Sequence, residues 1–171
     1  EIGKAAFCYC ESLETLKLPS TLKSIGEFAF AKMDALKSLE IPEGVVTLPR
    51  GLFFDSQSLD SVTLPKSLTT IKEIAFCSNA MLKELRVPDS VTTIEEHGIG
   101  YLAHWDLDAQ EYMFDGLQEE YLITGMKNSV AQQYADQNHI AFRALEDIEE
   151  HSTISVLGTS TYTGAPIEPE V

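Results

Sequence analysis

The sequence predicts a β-rich solenoid: a stack of right-handed coils carrying short parallel strands, closed at the C-terminal end by a helix and a strand. Three observations carry that expectation. The chain repeats itself every 23 residues over its first half, each period ends an apolar alternation on a proline, and a helix-start signal follows once the period lapses. A coil of this size cannot bury its own apolar side chains, so coils stack and cover one another in continuous ladders. Crossovers between parallel strands are right-handed almost without exception.

Four full units start at Ile2, Ile25, Leu48 and Ile71, and a fifth begins at Ile94. One column holds Phe7, Phe30, Phe53 and Phe76, another Leu13, Leu36, Leu59 and Leu82, a third Leu16, Leu39, Val62 and Leu85. A fourth holds Leu18, Ile41, Leu64 and Val87, each followed by a proline: Pro19, Pro42, Pro65 and Pro88. The spacing Leu-x-x-Leu-x-Leu, as in "LKELRV", ends in a period of two and reads as a short strand with alternate side chains inward. Proline stops it, because it lacks the N–H a ladder needs. "KSI" and "TTI" then read as a second short extended piece, and the small residue beside most of the Phe column lets the ring sit against a tight turn.

Residues 1–93 are therefore assigned to four repeats, 94–145 to an atypical fifth repeat with a C-terminal cap, and 146–171 to a linker and the start of another module. Beyond Ile94 an acidic, aromatic-rich loop is expected before the strand-like "EEYLITG". Ser129 as N-cap with Gln132 at capping-box spacing predicts a helix from Val130 to about Asn138, with Val130, Ala131, Tyr134 and Ala135 on one face. "HIAFRAL" alternates as a strand. Helix and strand together would cover the open end of the stack, where bare apolar ladders and strand edges invite aggregation.

These residues resemble a family, the BspA-like leucine-rich repeats of bacteria, whose unit reads Ile-Gly-x-x-Ala-Phe-x-x-Cys-x-x-Leu-x-x-Leu-x-Leu-Pro. "IGKAAFCYCESLETLKLP" at residues 2–19 matches every marked place. Departures are the Cys column, filled by Cys10, Met33, Ser56 and Asn79, and "LPRGLF" at 48–53. The segment "ITGMKNSVAQQYADQNHIAFRAL" is similar to the unit that closes many such repeat domains, and "TYTGAPIEPEV" resembles the opening strand of bacterial immunoglobulin-like modules. The chain starts inside the pattern, at Glu1, and is expected to be a piece of a larger surface protein.

Charge is unevenly placed: residues 1–93 carry ten Lys or Arg and twelve Asp or Glu, residues 94–171 two and fifteen. Without clustered positive charge, nucleic acid is excluded as a partner. The three cysteines are expected to be buried free thiols; Cys8 and Cys77 share a column but stand three coils apart, about 14 Å, beyond disulfide reach. No metal site, cofactor or catalytic residue is expected. His97, His104, His139 and His151 form no metal motif, and Asp106, Asp108, Glu111 and Asp115 could offer oxygens to calcium but read as solvated loop carboxylates. Tyr101, Trp105, Tyr112 and Phe114 read as the cap's own core, with a sugar-stacking platform as the alternative.

What remains is a binding module. The outward strand residues Thr15 and Lys17, Ser38 and Glu40, Ser61 and Thr63, Glu84 and Arg86 form the candidate protein-binding face. The resemblance implies an extracellular or cell-surface protein that binds host or bacterial surface proteins; this segment is expected to be monomeric and not to insert into a membrane. The other reading is a structural spacer carrying catalytic or dockerin domains in a multi-modular secreted protein.

Overall fold

Three of the four proline-terminated runs become short strands. In the computed structural model, which describes residues 1–145, β1 (Ser38–Glu40), β3 (Ser61–Thr63) and β5 (Glu84–Arg86) each turn one side chain inward between two outward ones. The linker and immunoglobulin-like segment expected over 146–171 lie outside the described residues. Leu39 and Leu85 are buried and Val62 is half-buried. β1 and β3 pair in parallel with Leu39 opposite Val62, a register of one repeat. A second side of the stack is built from the Thr-Leu or Thr-Ile pairs: β2 (Thr47–Leu48), β4 (Thr70–Ile71) and β6 (Thr93–Ile94) pair in that order, and a bridge between Ile2 and Ile25 extends the row to the first coil.

The third side is a tight turn whose N–H groups point from coil to coil. Phe7 donates to the carbonyl of Ala29, Phe30 to Leu52, Phe53 to Ala75 and Phe76 to Gly98, all at 2.9–3.0 Å. Beneath this row the Phe rings stack, with centroids 5.8, 5.8 and 5.4 Å apart along Phe7, Phe30, Phe53 and Phe76. Phe30, Phe53 and Phe76 are fully buried, while Ile2, Phe7, Leu13, Leu16 and Leu18 of the first coil are only half-buried. No strand forms at residues 15–17, so the first coil departs from the expected pattern.

The fifth coil is interrupted. Its strand is β9 (Leu122–Gly125), where Ile123 takes the place opposite Leu85 in parallel pairing with β5. Ile123 stands 38 residues after Leu85 instead of 23, so 15 residues have been inserted. The insert was expected to be a loop; it is an antiparallel hairpin, β7 (Tyr101–Asp106) with β8 (Glu111–Leu117). Asp106 and Glu111 are its last paired residues, and Trp105 stands directly across from Tyr112.

The cap forms as the capping signals predict. In α1 (Val130–Gln137) the Ser129 side chain accepts the Gln132 N–H at 3.3 Å, and Gln132 Oε1 accepts the Asn128 N–H at 2.8 Å. Ala131, Tyr134 and Ala135 are buried and Val130 is half-buried. Tyr134 Oη exchanges hydrogen bonds with both the N–H and the C=O of Ile99, at 3.1 Å each, which ties the helix to the fifth coil. β10 (Ala141–Ala144) then pairs in parallel with β9 and completes the sheet order β10-β9-β5.

Candidate binding surfaces

All eight residues of the expected strand face are exposed. Ser38 sits opposite Ser61 and Glu40 opposite Thr63, since parallel pairing at one repeat brings equal columns side by side. A groove of about 980 Å³ runs beside this pair and is lined by Lys17, Ser38, Glu40, Ser61 and Thr63 together with Leu16 and Pro42. β3 and β5 belong to separate sheets, and between them lies a second groove of about 930 Å³ that includes Thr63 and Arg86. Thr15 and Glu84 line neither groove. Glu84 instead accepts from Arg143 Nη2 at 2.6 Å, an exposed pair that carries the face across β9 to β10. Arg143 escaped the sequence reading because no column assigns the cap strand a place beside the repeats.

A second surface arises from the hairpin. Three of the four rings read as the cap's own core pack apart from the main core, and they do so with side chains of earlier coils. Tyr101, Tyr112 and Phe114 join a separate cluster with Phe28, Ala31, Phe54, Ile74 and Cys77 on the outer side of the coil turns. The reason is the insertion itself, which is rooted on the turn side. Ser78 Oγ donates to the Ala103 carbonyl and accepts the Ala103 N–H, at 2.9 Å each, and Ser78 N–H reaches the Tyr101 carbonyl at 2.8 Å. The hairpin therefore lies back over earlier coils. Tyr112 stacks on Phe28 at 6.3 Å and meets Phe54 and Trp105 edge-on at 4.9 and 5.0 Å.

"LPRGLF" now has a structural reason. At Gly51, φ is +63°, and a Cβ there would collide with the Phe28 ring; glycine makes the space in which that ring lies. Arg50, its neighbour, covers Phe28 and Tyr112 with its guanidinium 5.6 and 5.3 Å from their centroids. Between hairpin and coil turns opens a cleft of about 800 Å³, with Tyr9 and Phe28 on the coil side and Trp105 and Tyr112 on the hairpin. Its polar groups are paired: Lys32 with Asp55 at 2.9 Å, and His104 with Asp115 at 3.0 Å. The hydrogen bond to Asp115, with its charge, holds the His104 pKa above the ordinary value.

Of the four carboxylates that could serve calcium, two are engaged elsewhere. Asp106 Oδ1 accepts the N–H groups of Asp108 and Ala109 at 2.9 and 2.7 Å, closing the hairpin turn, and Asp115 holds His104. Among the described residues no group of three or more His, Cys, Asp or Glu side chains is placed to hold a metal ion. All three cysteines are free, but only Cys77 is buried; Cys8 and Cys10 are half-buried, because they lie in the first coil. Burial pushes the Cys77 thiol up to about 12. His97 packs against Phe114 at 3.6 Å between centroids, as part of the hairpin's base.

One pattern went unread. Lys4, Glu27, Arg50 and Glu73 share a column and alternate in sign, and Lys4 pairs with Glu27 at 2.9 Å and Arg50 with Glu73 at 2.8 Å. The alternation was visible once the chain was written in rows of 23.

A family model described as "BspA type Leucine rich repeat region" matches residues 1–101, in six copies. No curated protein matches the chain. Among solved structures, a leucine rich cell surface protein from Faecalibacterium prausnitzii is 26% identical at a TM-score of 0.50, over 75% of this chain and 39% of its own. A leucine-rich repeat protein from Bacteroides ovatus is 23% identical at 0.53, over 75% of this chain and 37% of its own. The pneumococcal vaccine antigen PcpA is 22% identical at 0.51, over 77% and 41%. The chain spans about two-fifths of the length of each of these structures.

Proposed function

Because this chain belongs to the BspA-type leucine-rich repeat family, we propose that it is a non-catalytic protein-binding module displayed outside the bacterial cell, with the outward faces of β1, β3 and β5 as its contact surface. The cell-surface description of the Faecalibacterium protein supports the location. No helix among the described residues is long and apolar enough to cross a membrane. The observation that carries the reading is the exposed, in-register pairing of polar side chains on β1 and β3, with one groove beside it and a second between β3 and β5.

Lys17, Glu40, Thr63 and Arg86 present no single sign of charge, so the face suits a protein partner with mixed polarity rather than a strongly charged ligand. A standard interface buries about 800 Å² per partner, which would occupy most of so short a sheet. Replacing Lys17, Lys83 and Arg86 together by Ser should leave stability within about 1 kcal/mol, since exposed charges contribute little. Lys83 is exposed, with its Nζ on the Glu119 carbonyl at 3.3 Å, and the other two have no ion pair among the described residues. Capture of proteins from bacterial and host-cell surface extracts by the immobilised chain should fall clearly in the triple variant. Equal capture by both forms would remove this face from the binding account and leave the repeats as a spacer between other domains.

A further inference from the structure

We propose that the cleft between the β7–β8 hairpin and the turns of the early coils binds a neutral oligosaccharide. This site is separate from the strand face and shares none of its eight residues. A volume of about 800 Å³ falls within the range of roughly 300–1,000 Å³ typical of small-ligand clefts. Two aromatic side chains stand on opposite walls with their surfaces open: Tyr9 is 64% and Trp105 48% exposed. Trp105 is held against Tyr112 at 5.0 Å, and Tyr9 lies under the Lys32 ammonium at 5.5 Å, so both rings are oriented before any ligand arrives. Pre-oriented rings lose little freedom on binding.

The chemistry between those walls selects the ligand class. Lys32 pairs with Asp55, and Gln57 Nε2 donates to both Asp55 and, at 3.0 Å, the Ser78 carbonyl. His104 and Asp115 form the second polar pair. Lys4 and Lys32 balance Asp55 and Asp115, so the formal charge lining the cleft sums to zero with His104 neutral. A strongly charged ligand would find half of these groups repulsive. An apolar side chain would desolvate both pairs and give them no hydrogen bond in return. A sugar meets both demands: its hydroxyls donate and accept toward paired groups without separating them, and its C–H faces lie flat on aromatic rings.

Trp105 is the chain's one tryptophan and reports on the cleft directly. The whole chain is titrated, under tryptophan fluorescence, with cellotetraose, maltotetraose, xylotetraose and chitotetraose, and in parallel with a heparin tetrasaccharide and a mixed-sequence decapeptide. At least one neutral tetrasaccharide should give a saturable change with Kd below about 1 mM. Tyr9→Ala and, separately, Gln57→Ala should weaken it by about tenfold or more, with unchanged melting temperatures, while the strand-face triple variant binds like the wild type. The proposal is overturned if none of the four saturates by about 10 mM, if heparin or the peptide binds more tightly than every neutral sugar, or if both cleft variants bind as before. Because the strand-face variant leaves these residues intact, loss of one activity does not imply loss of the other.

Discussion

Ile74 holds φ at +51° although it is β-branched, and it does so because every coil needs the same turn. Ala5, Phe28, Gly51, Ile74 and His97 share one column, and all have positive φ; so do Tyr9, Lys32, Asp55 and Ser78 in another. Only glycine adopts this region without penalty. The turn was therefore invisible in the sequence: side chains as different as Phe and His mark it, and only Gly51 would have signalled it. His139 is in the same position at the end of α1, with φ +57°, where the Ile140 N–H reaches the Ala135 carbonyl at 2.9 Å and the His139 N–H the Asp136 carbonyl at 3.4 Å. That is the left-handed close of a helix, which favours glycine. His139→Gly should raise stability by about 0.5–1 kcal/mol in urea unfolding; a lower midpoint would mean that the exposed ring makes a contact of its own. His104 offers a second check. Its hydrogen bond to Asp115 raises the folded pKa above the ordinary value near 6.5. The stabilisation is full below that ordinary value and is lost as pH rises through the raised one. Ring-proton NMR should place the midpoint above about 6.5, and Asp115→Asn should bring it down.

Among the elements, the Phe column shows how burial depends on neighbours more than on residue type. Phe53 lies between Phe30 and Phe76 and is fully buried, whereas Phe7 has a ring on one side only and is half-buried. Phe53→Ala should cost about 3–5 kcal/mol, and Phe7→Ala clearly less. Thermal melts of the two variants compare them directly, and equal losses would contradict the one-sided packing of the first coil. The inward columns were legible because one physical demand, filling a ladder, recurs at the same place in each coil. Legibility failed where the demand changed. The hairpin was read as a loop because it breaks the repeat pattern and carries Asp106, Asp108, Glu111 and Asp115, although Tyr101, Ala103 and Trp105 alternate, and Tyr112 and Phe114 do so on the return strand. The candidate face was legible as a set of outward positions, but the cleft was not, since it joins residues from the first coil to an insertion about a hundred positions later.

At the scale of the molecule, the strand face and the hairpin cleft leave the stack on different sides, held apart by one continuous core. The alternating column of Lys4, Glu27, Arg50 and Glu73 runs along that same stack, and Arg50 also lowers the pKa of Glu27, though less than Lys4 does. Glu96, the next member, breaks the alternation where the regular coils end, and its side chain is 85% exposed. Such a column gives the solenoid a parity. Duplicating one of these four coils, or deleting the one that carries Glu27 or Arg50, would set two like charges against each other, whereas gaining or losing two neighbouring coils among them preserves the alternation. Each mismatch would cost only a fraction of a kcal/mol at these exposures. Repeated over many rounds of duplication, that small bias would favour lengthening by pairs, and a chain that grew so would carry its history as a period of 46 in charge laid over a period of 23 in shape.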